Sequence, residues 1–396
     1  MSNGRSNCSQ KPEWCLRFGT VRLVKQPELS PGDVGRYSET VLDVGRQAGL
    51  DRVGIAPASK MSRARAALTT RKLTGFSDTM QFTFRNPERS TDPSVSMNNA
   101  HSLVVGAFSY ATPNPPTAEP LDARVARYAW RDYYEPLRGG LAAIASHLRE
   151  DGWRAVVFAD ENSLVDRELA YLAGLGWFGK NANVMIPGAG SFFVLGSVVT
   201  NAPLETNERL ADDGCGSCRR CLDACPTNAI VEPGVVDARK CLAWLLQKPG
   251  VFDWRFRQAL GDRIYGCDDC QESCPPTIRY GSRQELSGDL HPWISTLFLL
   301  TSDDETLLDA VGHWYIAERN PDWVRRNALV VLGNIGDPRL AEVRHVLAKY
   351  LEHPDPMLRA HAVWAAARMN LRDMIPFHDT APLVMDELAR LPEPRV

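Results

Sequence analysis

Between Cys215 and Pro275 the chain carries eight of its ten cysteines, and no other stretch restricts the fold as much. It reads Cys215, Cys218, Cys221, Cys225-Pro226, a lone Cys241, then Cys267, Cys270, Cys274-Pro275. The first run has the spacing C-x2-C-x2-C-x3-C-P, in which three close thiolates hold one 4Fe–4S cluster and the fourth reaches across to a second. The second run lacks its opening cysteine: Ile264 stands where it would fall, and Cys241 is the unassigned thiol nearby. Eight ligands then divide into two sets. Cys215, Cys218, Cys221 and Cys274 are expected on one cluster, and Cys225, Cys241, Cys267 and Cys270 on the other.

Two other uses of eight cysteines fit less well. Disulfides need an oxidising compartment, and the opening MSNGRSNCSQ has no apolar leader segment, so a reducing, cytoplasmic location is expected. Zinc sites favour pairs of C-x2-C separated by a longer loop, whereas a triple run closed by Cys-Pro suits a cluster. Cys8 and Cys15 fit neither pattern and read as ordinary thiols.

The rest of the chain is long enough, at 396 residues with 44% hydrophobic content, for two or three domains with sizeable cores. Its longest apolar runs, such as FFVLGSVV at 192–199, are strand-sized, so no membrane span is expected. A net charge of -3 gives no bulk sign of nucleic acid, and any such contact needs a local basic surface.

Taken in order, residues 1–35 are polar and broken by Pro12, Pro27, Pro31 and Gly32, which predicts an irregular extension. Residues 36–205 read as an α/β or α+β domain. SETVLDVGRQAGL has helical spacing; DRVGIAPAS, HSLVVGAFSY and WRAVVFAD read as strands, with an amphipathic helix over Leu141, Ile144, Ala145 and Leu148 before the third. FRNPERSTDP is a charged turn bearing Arg85 and Arg89. Asp160 closes the last of these strands, where it serves either as a ligand-side carboxylate or as an N-cap for the following helix. The segment 174–200 is rich in glycine, which suits close backbone approach to a large cofactor or a plain hairpin. Residues 206–285 form a ferredoxin-like module with two 4Fe–4S clusters. In 286–396, Val324-Arg325 with Ala328-Leu329 repeats at an offset of 34 as Leu358-Arg359 with Ala362-Val363, the pattern of a HEAT-like helical repeat. Its arginines Arg325, Arg326, Arg359, Arg368 and Arg372 form either a solvated face or a phosphate-binding one.

These residues carry a family resemblance. DENSLVDRELAYLAGLGWFGKN at 160–181 resembles a block of the epoxyqueuosine reductases, with Asp160, Arg167, Gly174, Leu175, Gly176, Trp177, Gly179 and Lys180 in register. IYGCDDCQESCP at 264–275 and RNPERSTDP at 85–93 resemble further motifs of that family, and the resemblance runs from 37 to about 372. It implies a nitroreductase-like cobalamin-binding domain in front of the cluster module. It also implies an oxidoreductase that reduces epoxyqueuosine to queuosine in tRNA, with cob(I)alamin as nucleophile, two 4Fe–4S clusters as electron relay and an aspartate as proton donor. Asp160 takes the place of that donor. Arg85, Trp177, Gly179, Lys180, Asn181 and Ser191 are the residues expected to bind cobalamin. An external low-potential electron donor, a monomeric state and tRNA contact through the repeat follow from the same resemblance. No D-x-H-x-x-G sequence is present, so cobalamin is expected without a protein histidine on cobalt.

The chain departs from the family at three places. Trp130-Arg131-Asp132-Tyr133-Tyr134 lacks the family's histidine, Gly75-Phe76-Ser77-Asp78-Thr79-Met80 replaces a histidine-bearing turn, and Asn162-Ser163 replaces a small residue and proline. These lie on the expected substrate side. A cobalamin reductase of the dehalogenase kind acting on a small molecule, and a two-cluster electron carrier, are the alternatives. The first has no use for an RNA-sized repeat, and the second leaves Asp160 and the glycine-rich segment without a task.

Overall fold

The computed structural model describes residues 29–207, 209–286, 288–376 and 378–395; Cys8 and Cys15 lie outside them. The first helix runs Pro31–Gln47, so it begins inside the stretch expected to be irregular. Pro31 stands at its first turn, where the missing N–H has no intrahelical partner to lose and the fixed φ favours the helix. Ser38, Val41 and Gly45 form its buried stripe.

Four strands make the main sheet: β1 (Arg52–Pro57), β2 (Ser102–Ser109), β3 (Ala155–Ala159) and β4 (Phe193–Thr200). Their order is β1-β2-β4-β3, and every pairing is antiparallel. The domain is therefore α+β. The six buried residues opening β2 alternate between two cores, Leu103 and Val105 to one side and Val104 to the other, so both faces of the sheet are covered. The helix Tyr134–Glu150 lies on one face through Leu137, Leu141, Ile144 and Leu148. It approaches closely because paired Gly106 and Gly196 carry no Cβ; one added at either would meet Leu141 within 3.0 Å.

The regions named in the sequence reading interlock. Asp122–Val125 pairs in parallel with Arg263–Tyr265 beside the cysteines, and antiparallel with Trp293–Ser295 at the start of the repeat. The repeat itself packs helices Asp322–Ile335, Ala341–Leu351 and Pro356–Arg368, with Pro382–Leu388 closing it.

Its arginines are engaged within the protein. Arg326 is fully buried and donates to the carbonyls of Lys248, Gly250, Leu245 and Leu246, pinning the repeat to the segment that follows Cys241. Arg325 is held by Asp304 at 2.6 Å and Asp322 at 3.1 Å, and Arg359 by Asp379 at 2.8 Å. Arg368 and Arg372 bond the carbonyls of Glu393 and Pro392. The helical spacing that marked these arginines cannot separate an outward stripe from an inward one. Buried His361 joins the same seam. Phe252 N–H donates to its Nε2, so the proton is on Nδ1 against Met357 O, and burial keeps the ring neutral.

Candidate active site and cluster module

Asp160 follows the last residue of β3 in a left-handed conformation, φ 57°, which costs a non-glycine residue about 1 kcal/mol or more. It caps no helix. The next one spans Asp166–Leu172 with Val165 at its N-cap, and this disposes of the capping alternative. The argument from strand ends in parallel sheets also lapses, since this sheet is antiparallel.

The local chemistry is that of a carboxyl-rich cleft. Asp160 is exposed at its tip, yet enough protein surrounds it for burial to raise its carboxyl above the ordinary range; Arg138 opposes this and Asp132 reinforces it. Asp166 is pushed up to about 8, by burial first and then by the Asp160 charge, with Arg167 pulling the other way. Tyr134 is raised by burial and by both aspartates. Thus the departure at Tyr134 falls against the candidate acid. Asn162 is an exposed member of the same turn. The departure at Gly75–Met80 packs elsewhere: Asp78 accepts from Trp244 Nε1 at 2.9 Å and Lys248 Nζ at 2.7 Å, just beyond Cys241.

The glycine-rich segment forms a hairpin, Trp177–Phe178 against Val184–Met185. Gly176 and Gly190 are accounted for by protein contacts. A Cβ on Gly176 would lie 2.2 Å from Met185 O, and one on Gly190 would strike Thr277 at 2.3 Å. Four residues expected at a corrin are hydrogen-bonded to the cysteine module, because the hairpin packs against it. Trp177 Nε1 donates to Cys215 Sγ at 3.5 Å. Lys180 Nζ donates to Gly216 O at 2.6 Å and Cys218 O at 2.9 Å. Asn181 Nδ2 reaches Cys270 O at 3.5 Å, and Ser191 bonds Gln271 and Thr277. Buried Gly179 closes the turn that presents Lys180 and Asn181, its carbonyl accepting from Ala182 N at 2.9 Å. Arg85 is exposed. No sequence signal distinguished a hairpin wrapped on a cofactor from one packed on the neighbouring module.

All eight cysteines are free thiols. Burial raises Cys221, with added influence from Cys274 and Cys215; it raises Cys274, with Cys215 and Cys218 acting on it in turn. Burial also raises Cys241 and Cys270; Cys225 acts on both, and Cys241 on Cys270. Cys267 is raised by burial and by Asp269, whose Oδ2 accepts from its Sγ at 2.8 Å. Among the described residues no three His, Cys, Asp or Glu side chains close around one ion, whereas zinc needs its sulfurs about 2.3 Å from a single centre. The Arg167 charge acts on Asp166 and Tyr134 and also on Cys241.

Similarity to known proteins gives the class first. Residues 214–277 match the 4Fe-4S double cluster binding domain and residues 314–385 match HEAT repeats, so the chain is an iron–sulfur protein with a helical-repeat module. Residues 90–161 match the family described as Epoxyqueuosine reductase QueG, DUF1730. The epoxyqueuosine reductase of Pseudomonas aeruginosa is 31% identical over 86% of this chain and 96% of its own, and that of Bacillus anthracis 30% over 85% and 88%. The chain belongs to the epoxyqueuosine reductase family, and it is an oxidoreductase. A solved epoxyqueuosine reductase bound to an epoxyqueuosine-modified tRNA-Tyr stem loop superposes with a TM-score of 0.80 at 26% identity, covering 89% of this chain and 97% of that one. The Bacillus subtilis enzyme, at 0.79 and the same coverage, was solved with its catalytic aspartate loop swung out of the active site.

Proposed function

We propose that this chain reduces epoxyqueuosine to queuosine in tRNA, with cobalamin in the cleft beside Asp160 and two 4Fe–4S clusters on the eight cysteines. The reading is carried by family membership together with the double-cluster match over the cysteines and the burial-raised carboxyls of Asp160 and Asp166. The tRNA substrate rests on family membership and on the relative solved with a tRNA stem loop, since the repeat's arginines are engaged within the protein.

The residues fit both groups. Eight thiols match the donor needs of two clusters: charge influence links Cys215, Cys218, Cys221 and Cys274, and links Cys225, Cys241 and Cys270, with Cys221 also acting on Cys270, and Cys267 joins the second set by its spacing in the sequence. For cobalamin, Tyr128, Tyr134 and Asp166 lie deep enough for burial to dominate their titration, yet each keeps a solvent-facing part, as the wall of an internal cleft does. When bound, cobalamin supplies a strongly reducing, nucleophilic cobalt for epoxide opening.

The chain's own part is to hold, orient and protonate. Opening an epoxide leaves an alkoxide, and Asp160 is the carboxylic acid that donates to it; burial already favours its protonated form. Overall, two electrons and two protons convert the epoxide to the alkene and water. Asp166 stays protonated near neutral pH, so the cleft carries less negative charge than its carboxylates would otherwise bring. Arg85, Trp177, Gly179, Lys180, Asn181 and Ser191 are the proposed contacts to the cofactor, and Trp177, Lys180, Asn181 and Ser191 also fix the cluster module in place. The proposal also includes an external low-potential donor, a cytoplasmic location and a monomer. Among the described residues no helix is long and apolar enough to cross a membrane. The test is anaerobic incubation of reconstituted protein, cobalamin and a strong reductant with epoxyqueuosine-containing tRNA, followed by nucleoside mass analysis. Queuosine should appear only with all components, and its absence from the complete mixture would refute the assignment.

A further inference from the structure

The two cysteine sets differ in what surrounds them. On the Cys215 side the glycine-rich hairpin delivers two donors. The indole N–H of Trp177 points at Cys215 Sγ, 3.5 Å away, and the Lys180 ammonium sits on the carbonyls of Gly216 and Cys218. The indole cannot easily turn aside, because it packs against the backbone at Gly214, where a Cβ would lie 2.7 Å from the ring. On the Cys267 side Ala229 N donates to Cys225 Sγ at 3.2 Å, but carboxylates stand beside Cys267 and Cys270. Asp268 and Asp269 lie between Cys267 and Cys270, and Asp269 Oδ2 touches Cys267 Sγ at 2.8 Å. Arg263 balances Asp269 at 2.6 Å, but Asp268 receives only neutral donors, Arg127 N at 2.6 Å and Gln271 Nε2 at 3.2 Å.

Reduction adds an electron, and so negative charge, to a cluster and its thiolates. N–H donors and cations near the sulfurs favour that state, while nearby carboxylates oppose it. We infer that Trp177 and Lys180 are positioning residues that set the reduction potential of the cluster held by Cys215, Cys218, Cys221 and Cys274 above that of its partner. This rests on the two-cluster reading, and it gives the hairpin a redox task in addition to its structural one. It also orders the module: the set with exposed Cys218 is the easier to reduce, and the set flanked by Asp268 and Asp269 is the more strongly reducing once reduced.

The experiment is an EPR-monitored potentiometric titration with dithionite of the full, reconstituted chain without cobalamin, together with iron and sulfide analysis. Iron and sulfide content tests the two-cluster reading by itself; a protein that assembles one cluster sinks that reading and leaves nothing for the potentials to decide. With both clusters present, the wild type should give two midpoints. Trp177→Phe and Lys180→Met should each lower the upper midpoint by an amount comparable to a tenfold change in the reduced-to-oxidised ratio, about 59 mV for a one-electron couple, and leave the lower one in place. Lys180→Arg should restore it. If Trp177→Phe fails to assemble, benzothienylalanine at 177 keeps the ring shape and removes only the N–H, and the same downward shift is expected. Unchanged midpoints with both clusters intact, or movement of the lower one, would overturn the inference.

Discussion

The acid turn and the glycine-rich hairpin border the same region and are built in opposite ways. Asp160 stands in a left-handed turn with an exposed tip, no recorded side-chain hydrogen bond among the described residues, and exposed Glu161 and Asn162 after it. The hairpin is fixed at many points: Trp177, Lys180, Asn181 and Ser191 all bond the cysteine module, and Gly176 and Gly190 press on backbone. The difference follows from the two tasks. Electron transfer needs fixed distances between centres, whereas a proton donor must reach a substrate that comes and goes. A relative solved with its catalytic aspartate loop swung out fits the looser half of this comparison.

The comparison can be broken at either side. The largest effect is expected from Cys274→Ser, which should cost about half the iron by removing one ligand of one cluster, with turnover lost; retention of full iron would redraw the ligand sets. Next, Asp160→Asn should retain both clusters and lose turnover by about 10²-fold or more, read by nucleoside mass analysis in single turnover. Because the acid form is the active one and its carboxyl is raised, wild-type turnover should fall as pH rises through that carboxyl's range. On the fixed side, Arg326→Met should destabilise the fold by about 3 kcal/mol, since four buried carbonyls lose their donor, while tRNA affinity of the folded protein stays the same. Denaturant melts and filter binding would separate those two readings.

A subtler change is expected at Asp166. Its folded carboxyl titrates near 8 against 3.8 unfolded, so the folded state holds its proton more tightly, and stability falls as pH rises between those values. Asp166→Asn should therefore melt higher than wild type above pH 8, and the gap should vanish near pH 4. An equal gap at both pH values would mean that burial does not act on this group. The smallest effect should come from Ser191→Ala, which removes one buried hydrogen bond to Gln271 and should cost about 1 kcal/mol in a denaturant melt.

Some of this was legible in the chain. Cysteine spacing is a local code for cluster geometry, and the repeat at an offset of 34 names a helical hairpin, because each depends on residues a few turns apart. The strands over Ser102–Ser109 and Ala155–Ala159 were readable from apolar runs for the same reason. The direction in which a side chain points once elements pack was not legible. In sequence Arg326 reads as part of a solvated or phosphate-binding face and Lys180 as a cofactor contact, whereas the first ends buried on four carbonyls and the second bonds the Cys215–Cys218 loop. Helical period and glycine content fix local conformation, but the partner of a long polar side chain is chosen by which distant backbone arrives beside it. The sequence by itself determined that the chain has eight cysteines at cluster-binding spacing, a helical repeat and an aspartate after a strand. Only tertiary structure decided that the hairpin grips the cysteine module, that the arginines hold the repeat in place, and that Tyr134 and Asp166 stand with Asp160, since burial and charge proximity arise only when the chain closes on itself.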